Sequence, residues 1–151
     1  MAVRFWLFLH YLGFMFWLGA GLASLVIGVR GRKEERQIQG AVTRLQMAVH
    51  RSLIGPGAFL VVISGIGLTV VKQGYEAVSP SVWLLLMQLA GVVGAVLVLF
   101  VSLPTSYRLA RVSPVGDTAR LFDALRRRQA QVGTVAGTLA LLALIAGAMN
   151  Q

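Results

Sequence analysis

His10 is the residue whose chemistry is least expected from its surroundings in this sequence. It lies in an uncharged run from Phe5 to Val29, and a helix of that length exceeds the roughly 30 Å hydrocarbon core of a bilayer. An ionisable side chain inside such a span is costly to bury, so it indicates a functional site. On helical spacing, three aromatic rings share a face with the imidazole, those of Trp6, Phe14 and Trp17. The pattern favours a planar ligand at His10, and the alternative is an imidazole that hydrogen-bonds a neighbouring helix for packing alone.

Met87 is the second candidate ligand, and it follows from a weak internal repeat of two hairpins. The stretch from Trp6 to His10 reads Trp-Leu-Phe-Leu-His, and the stretch from Trp83 to Met87 reads Trp-Leu-Leu-Leu-Met. Two spans that run in the same direction then place Met87 at the depth of His10. Imidazole and thioether together are an accepted axial pair for haem iron in electron transfer. We therefore predict haem b as the cofactor, with His10 and Met87 as its metal ligands, whereas a methionine used for packing alone is the competing interpretation.

Cations near the two histidines extend the candidate site. Arg4 and Lys72 lie at the rim closest to His10, where they could pair with haem propionates or simply anchor the helices. Because about 20 residues cross the bilayer core, His50 and Arg51 fall at the opposite interface, some 20 Å from His10. That separation disfavours a haem held by both histidines. We expect His50 to be a wetted interfacial residue unless it faces the bundle interior.

Composition places the chain among membrane proteins. Of its 151 residues, 57% are apolar and only 13% are charged, and the mean hydropathy is +0.77, which leaves too few polar residues to cover a soluble globule. The net charge of +9 is carried by connections between spans, so we expect no nucleic-acid partner. The absence of cysteine excludes disulfides, thiolate-bound iron–sulfur clusters and cysteine nucleophiles.

Apolar runs at about 5–29, 52–71, 82–103 and 132–149 predict an all-α integral membrane four-helix bundle in one domain, 1–151. The second helix is expected to begin before its span, in water or at the interface, because Ile38, Val42, Leu45 and Val49 recur at helical spacing.

The fourth span is expected to pack through small residues. Gly133 and Gly137 form a GxxxG pair whose surface continues through Ala136, Ala140 and Ala143. Such a surface allows a homo-oligomer or another partner in a membrane complex. The basic stretch 117–129 before this span predicts a short interfacial helix beside anionic headgroups.

The positive charges also predict orientation. The first-to-second and third-to-fourth connections carry twelve of the fourteen lysines and arginines: Arg30, Arg32, Lys33, Arg36, Arg44, Arg51, Arg108, Arg111, Arg120, Arg126, Arg127 and Arg128. The positive-inside rule then places both connections in the cytoplasm and both termini outside. We expect a multi-pass protein of the bacterial cytoplasmic (inner) membrane, in contact with anionic lipids at its cytoplasmic face.

Two sets of residues resemble a known group. His10 followed by Trp17, Gly19 and Gly21 resembles the first span of the HemJ-type protoporphyrinogen oxidases and of the CopD-like membrane domain. The stretch 51–56, an arginine five residues before a proline, with the glycines of 64–68, looks like the HemJ-type second span. The resemblance implies a four-helix membrane bundle with a histidine site near the outer side, and it adds Arg51 to the candidate cofactor-binding residues. HemJ-type proteins have a lysine at the position of Met87, so whether this chain is an enzyme stays open.

The function expected from these features is a membrane b-type haem protein in electron transfer or tetrapyrrole-linked oxidation. One alternative is copper handling, with His10 joined by the soft thioethers of Met15 and Met87. Another is a non-catalytic subunit of a membrane complex. The spans contain no carboxylate, which disfavours a proton pump, and the sequence contains no phosphate-binding loop or serine–histidine–acid constellation.

Overall fold

Four long helices make up the described part of the chain. The computed structural model describes residues 1–73 and 81–149, apart from the side chains of residues 72 and 73. The helices are α1 (Ala2–Gly31), α2 (Arg36–Val71), α3 (Val82–Arg111) and α4 (Gly116–Met149). Each is long and apolar enough to cross a membrane, and neither described range contains a strand. The predicted all-α four-helix bundle is confirmed, and the chain is a multi-pass membrane protein.

The helices pack in chain order around the bundle. α1 lies along α2, α2 contacts α3, and α3 lies along α4. We call the end with the α1–α2 and α3–α4 connections the basic end, and the end with Met1 and Met149 the terminal end. Within the described residues, substantial contact between α1 and α4 begins only at Met15 and continues toward the basic end. The terminal half of α1 therefore relies on α2 for its packing.

Glycines allow α1 and α2 to touch backbone to backbone. A Cβ atom on Gly57 would lie 2.7 Å from the backbone nitrogen of Trp17, and one on Gly13 would lie 2.9 Å from the backbone nitrogen of Val61. Both distances are shorter than real Cβ contacts allow, so these positions accept no larger side chain without a shift of the helices. The α1–α2 crossing is the close, small-residue packing typical of membrane helices.

Three helices contain a π-helical segment near the middle of the bundle. These segments are Met15–Gly19 in α1, His50–Ile54 in α2 and Leu97–Ser102 in α3. Each contains a side chain buried in the bundle interior: Trp17, His50 and Ser102 respectively. Such segments are rare and often occur at functional sites.

The interior changes character along the bundle. From the middle to the terminal end it is mostly apolar and rich in alanine, with Ser64 as a buried polar side chain: Phe14, Trp17, Ala58, Val61, Ala95, Val98, Ala136, Ala140 and Ala143. Toward the basic end, polar side chains are buried instead: Ser24, Gln39, Thr43, His50, Ser102, Thr105 and Ser106. A hydrophobic half and a polar half thus meet at the π-helical segments.

The basic half of α2 has the opposite polarity from that of a helix in a water-soluble protein. Ile38 and Leu45 of its apolar stripe are 44% and 56% exposed, whereas Gln39 and Thr43 are buried. The polar side chains therefore face the other helices, and Val42 and Val49 of the apolar stripe are half-buried beside them. The expectation that the second helix begins before its apolar run is confirmed by its start at Arg36, and its place in water or at the interface stays a prediction.

Two expectations for α4 are also corrected. Gly133 is exposed and neither it nor Gly137 has a neighbour within 4 Å of its Cβ position, so the buried face consists of alanines and excludes the GxxxG pair. The segment Ala119–Met149 is one continuous helix and not a short interfacial helix followed by a span. Phe122 is fully buried, which ties the basic part of α4 into the bundle.

Candidate functional site

His10 is held by α2 through one ring nitrogen. Its Nδ1 lies 3.1 Å from the carbonyl oxygen of Val61 and 2.9 Å from the hydroxyl oxygen of Ser64. The carbonyl can only accept, and the single proton of the Ser64 hydroxyl is already directed at the backbone carbonyls of Leu60 and Val61. Nδ1 therefore carries the proton and donates it to both oxygens, which leaves Nε2 as the basic nitrogen.

Aromatic rings continue from His10 along α1. The Phe14 ring meets the imidazole edge to face, with centroids 5.1 Å apart and planes at 88°, and it stacks on Trp17 at 6.3 Å and 7°. Trp6 lies against Gly67 of α2. Gly65 leaves room beside the imidazole, because a Cβ atom there would lie 3.4 Å from the His10 Cε1. The predicted walls therefore lie on both sides of His10.

Met87 lies against α4. Its sulfur is 3.0 Å from the position that a Cβ atom would take on Gly147. His10 and Met87 thus contact different partner helices, and their pairing on one iron stays a prediction. The neighbouring Gln88 donates to the Thr69 hydroxyl at 3.1 Å, which links α3 to α2 at the terminal end.

The other predicted site residues are dispersed. Arg4 and Arg51 are exposed, and the side chain of Lys72 lies outside the described residues. Met15, the soft ligand considered for copper, is 68% exposed on α1. None of these positions is brought against His10 by a described hydrogen bond.

His50 faces the interior, which is the case in which a wetted interfacial position is not expected. It is only 7% exposed, and its Nδ1 lies 2.8 Å from the carbonyl oxygen of Gln46. The Gln129 amide nitrogen of α4 lies 2.9 Å from the His50 Nε2 and 2.8 Å from the Ser102 hydroxyl. Sequence reasoning missed Gln129 and Ser102, although the polar spacing of residues 39, 43, 46 and 50 on α2 signals a buried polar face.

The basic end is closed by a charged network between α2 and α4. Arg36 donates to both carboxylate oxygens of Asp123, at 2.7 and 3.1 Å. Arg126 donates to the Gln39 side-chain oxygen at 2.7 Å and covers the Phe122 ring at 5.7 Å. These contacts fix the start of α2 against α4 and bring the charged groups to the edge of the polar interior.

The described residues contain no group of three or more His, Asp or Glu side chains that could hold a metal ion. A groove of about 380 Å³ follows the α3–α4 seam, but its lining is apolar and includes no predicted site residue. Comparison of the chain with protein-family models, with curated proteins and with solved structures finds no match. The resemblance to HemJ-type and CopD-like proteins therefore stays a prediction.

Proposed function

We propose that this chain is a b-type haem protein of the bacterial inner membrane, in which the His10 Nε2 would bind the iron. The observation that carries the proposal is the hydrogen bonding of Nδ1 to the Val61 carbonyl and the Ser64 hydroxyl. Histidines that bind metals almost always donate their second ring nitrogen to such an oxygen, which fixes the tautomer and the ring orientation. No described residue occupies Nε2, so it is the nitrogen free to bind.

A haem fits this donor set better than a bare metal ion. Metal ions held by protein alone need about four ligands, as in zinc sites, and the described residues provide no such cluster. Porphyrin supplies four nitrogens itself, so a single histidine is sufficient to hold it. Copper handling is less well supported, because Met15 is exposed and Met87 lies against α4.

The surroundings of His10 would shape the site. Within the described residues the terminal half of α1 contacts α2 and leaves its other side without a substantial helix contact. Phe14 and Trp17 exclude water there, and Ser64 and Val61 hold the imidazole. A bound haem would supply a one-electron iron couple, suited to electron transfer or tetrapyrrole-linked oxidation. Arg4 would pair with propionates, and Met87 would complete the coordination if α3 carries it toward α1.

The test is the absorption spectrum of the protein purified from membranes. We expect a Soret band with resolved bands on reduction, and we expect the His10→Gly variant to lose them. Added imidazole should restore the bands in His10→Gly, because it replaces the missing ligand without covalent attachment. The matched control is His50→Ala, which should keep the spectrum since it removes an imidazole from the other half of the bundle.

A colourless protein after expression with adequate haem supply would overturn the proposal. So would a His10→Gly protein that folds, as judged by circular dichroism and size exclusion, and retains the full spectrum. Equal loss of haem from both histidine variants would assign the iron to a site that includes His50.

A further inference from the structure

The cluster of His50, Gln129 and Ser102 joins α2, α4 and α3 in the middle of the bundle. Its chemistry is separate from that of His10, and it does not depend on a bound haem. The Gln46 carbonyl can only accept, so the His50 Nδ1 carries a proton and donates it at 2.8 Å. In neutral imidazole the Nε2 then has only a lone pair, which accepts an N–H of the Gln129 amide at 2.9 Å.

In this arrangement the hydrogen bonding of the Gln129 amide is incomplete. Its second N–H is donated to the Ser102 hydroxyl at 2.8 Å, and its oxygen Oε1 is buried without a hydrogen-bond partner in the described residues. Buried amide oxygens normally have a donor. Rotation of the amide by half a turn would place Oε1 opposite two possible donors, the Ser102 hydroxyl and the His50 Nε2. The second donor exists only if His50 is protonated.

We propose that this cluster is a proton-binding site, in which His50 takes up one proton at Nε2 and the Gln129 amide inverts to accept it. Before uptake, the Gln129 nitrogen donates to the lone pair of Nε2. After uptake, Nε2–H donates to Oε1, and Ser102 reverses from acceptor to donor. The proton comes from water, no bond other than N–H is made, and no oxidant or reductant is needed.

The charged and titratable groups on the helices around His50 do not pair with its imidazole. These groups are Arg30 on α1, Arg44 and Arg51 on α2, Tyr107, Arg108 and Arg111 on α3, and Asp123 and Arg126 on α4. Tyr107, Asp123 and Arg126 are half-buried and the others are exposed. In the described ranges, no hydrogen bond or ion pair joins any of them to His50. The side chain that must rearrange when Nε2 gains a proton is therefore Gln129, whose amide contacts Nε2.

The polar half of the bundle offers the proton a route from the basic end. Gln39 and Thr43 precede Gln46 and His50 on the inward face of α2, and Arg126 lies on α4 beside Gln39. Toward the terminal end, His50 is followed by Trp17 and the alanine-rich interior, and the buried Ser64 beyond them is hydrogen-bonded to His10 and to its own helix. Water that enters the polar half therefore finds closely spaced partners as far as His50 and an apolar stretch next to it.

Nitrogen-15 NMR of histidine-labelled protein in lipid nanodiscs tests the proposal over a range of pH. The two histidines are assigned by comparison with His50→Ala. We expect His50 in the neutral form with Nδ1 protonated at high pH, and doubly protonated at low pH. The Gln129 side-chain amide signals should change at the same midpoint. In Gln129→Glu, a carboxylate replaces the amide and always accepts from Nε2–H, so the ratio of protonated to neutral His50 at a given pH should rise about tenfold or more.

Gln131→Leu is the matched control, because Gln131 is exposed on the same helix and should leave the titration unchanged. Gln129→Leu keeps the helix but removes both the donor and the acceptor, so the protonated fraction should fall. Any of three results would overturn the proposal: a neutral His50 protonated at Nε2, a Gln129 amide that does not respond when His50 titrates, or a Gln129→Leu titration identical to that of the wild type.

Discussion

Gly57 is the position where one added methyl group should disturb the bundle most directly. Its Cβ atom would lie 2.7 Å from the Trp17 backbone nitrogen and 2.9 Å from the Gly13 carbonyl oxygen. Neither backbone atom can rotate away, so Gly57→Ala must push α1 from α2. Overpacking of this kind costs about 1–3 kcal/mol, and the better helix propensity of alanine offsets about 0.5–1 kcal/mol. We expect a net loss of up to about 2.5 kcal/mol.

Gly137→Ala is the matched control, because it makes the same chemical change at a helix position with no neighbour within 4 Å of the added methyl group. It should be neutral or stabilising by up to about 1 kcal/mol. Unfolding in mixed micelles titrated with dodecyl sulfate, followed by tryptophan fluorescence, compares the two variants, since Trp17 lies at the α1–α2 crossing. Equal stability, or a larger loss for Gly137→Ala, would refute the assignment of the close contact to Gly57.

Two further predictions concern the haem ligand and the topology. Met87→Leu should change the free energy of unfolding by less than about 1.5 kcal/mol. If Met87 binds iron, the reduced spectrum of this variant should become five-coordinate and respond readily to carbon monoxide. An unchanged six-coordinate spectrum assigns Met87 to packing on Gly147. Cysteines introduced at Gly74 and Thr118 should react with impermeant reagents from opposite sides of the membrane, the one at Gly74 from outside. Reaction of both cysteines from outside would contradict the orientation predicted by the positive-inside rule.

The number and class of the helices follow directly from the sequence. Uncharged runs long enough for a bilayer occur at four places, and the structure has a long helix at each. Hydropathy does not predict where α2 and α4 begin, because their first turns are polar: α2 starts at Arg36 and α4 at Gly116, well before the apolar runs. The part of α2 before its apolar run contributes Gln39, Thr43 and His50 to the polar interior.

The direction in which a side chain faces was harder to predict than its depth. Ile38 and Leu45 of the apolar stripe are exposed while Gln39 and Thr43 face the other helices, the reverse of the arrangement that helical periodicity predicts for a protein in water. The depth of His50 predicts a wetted interface unless its side chain faces the bundle interior, and depth does not decide between the two. The burial of His50 depends on Gln129 and Ser102, which lie 79 and 27 residues from their hydrogen-bond partners in this cluster, and single-sequence periodicity does not connect such distant positions.

The chemistry of His10 was predicted in part. The sequence places an imidazole among aromatic rings, and the structure adds the two oxygens on α2 that select its tautomer. Ser64 was visible only as a small polar residue in an apolar span. Its contact with His10 requires the α1–α2 crossing, which is set by backbone contacts at Gly13 and Gly57.

The π-helical segment Met15–Gly19 makes the effect of a one-residue deletion in α1 depend on where it falls. A π turn accommodates more residues per turn than an α turn, so a gene that lost one codon there would encode a regular α-helix whose later residues keep their direction. Ser24 would still meet Gln46, and Gly31 would still meet Val42, on α2. The same loss in the α-helical part Ala20–Gly31 would turn every later residue by about 100° around the helix axis. That chain would keep its hydropathy profile and would present the wrong side of the helix end to α2.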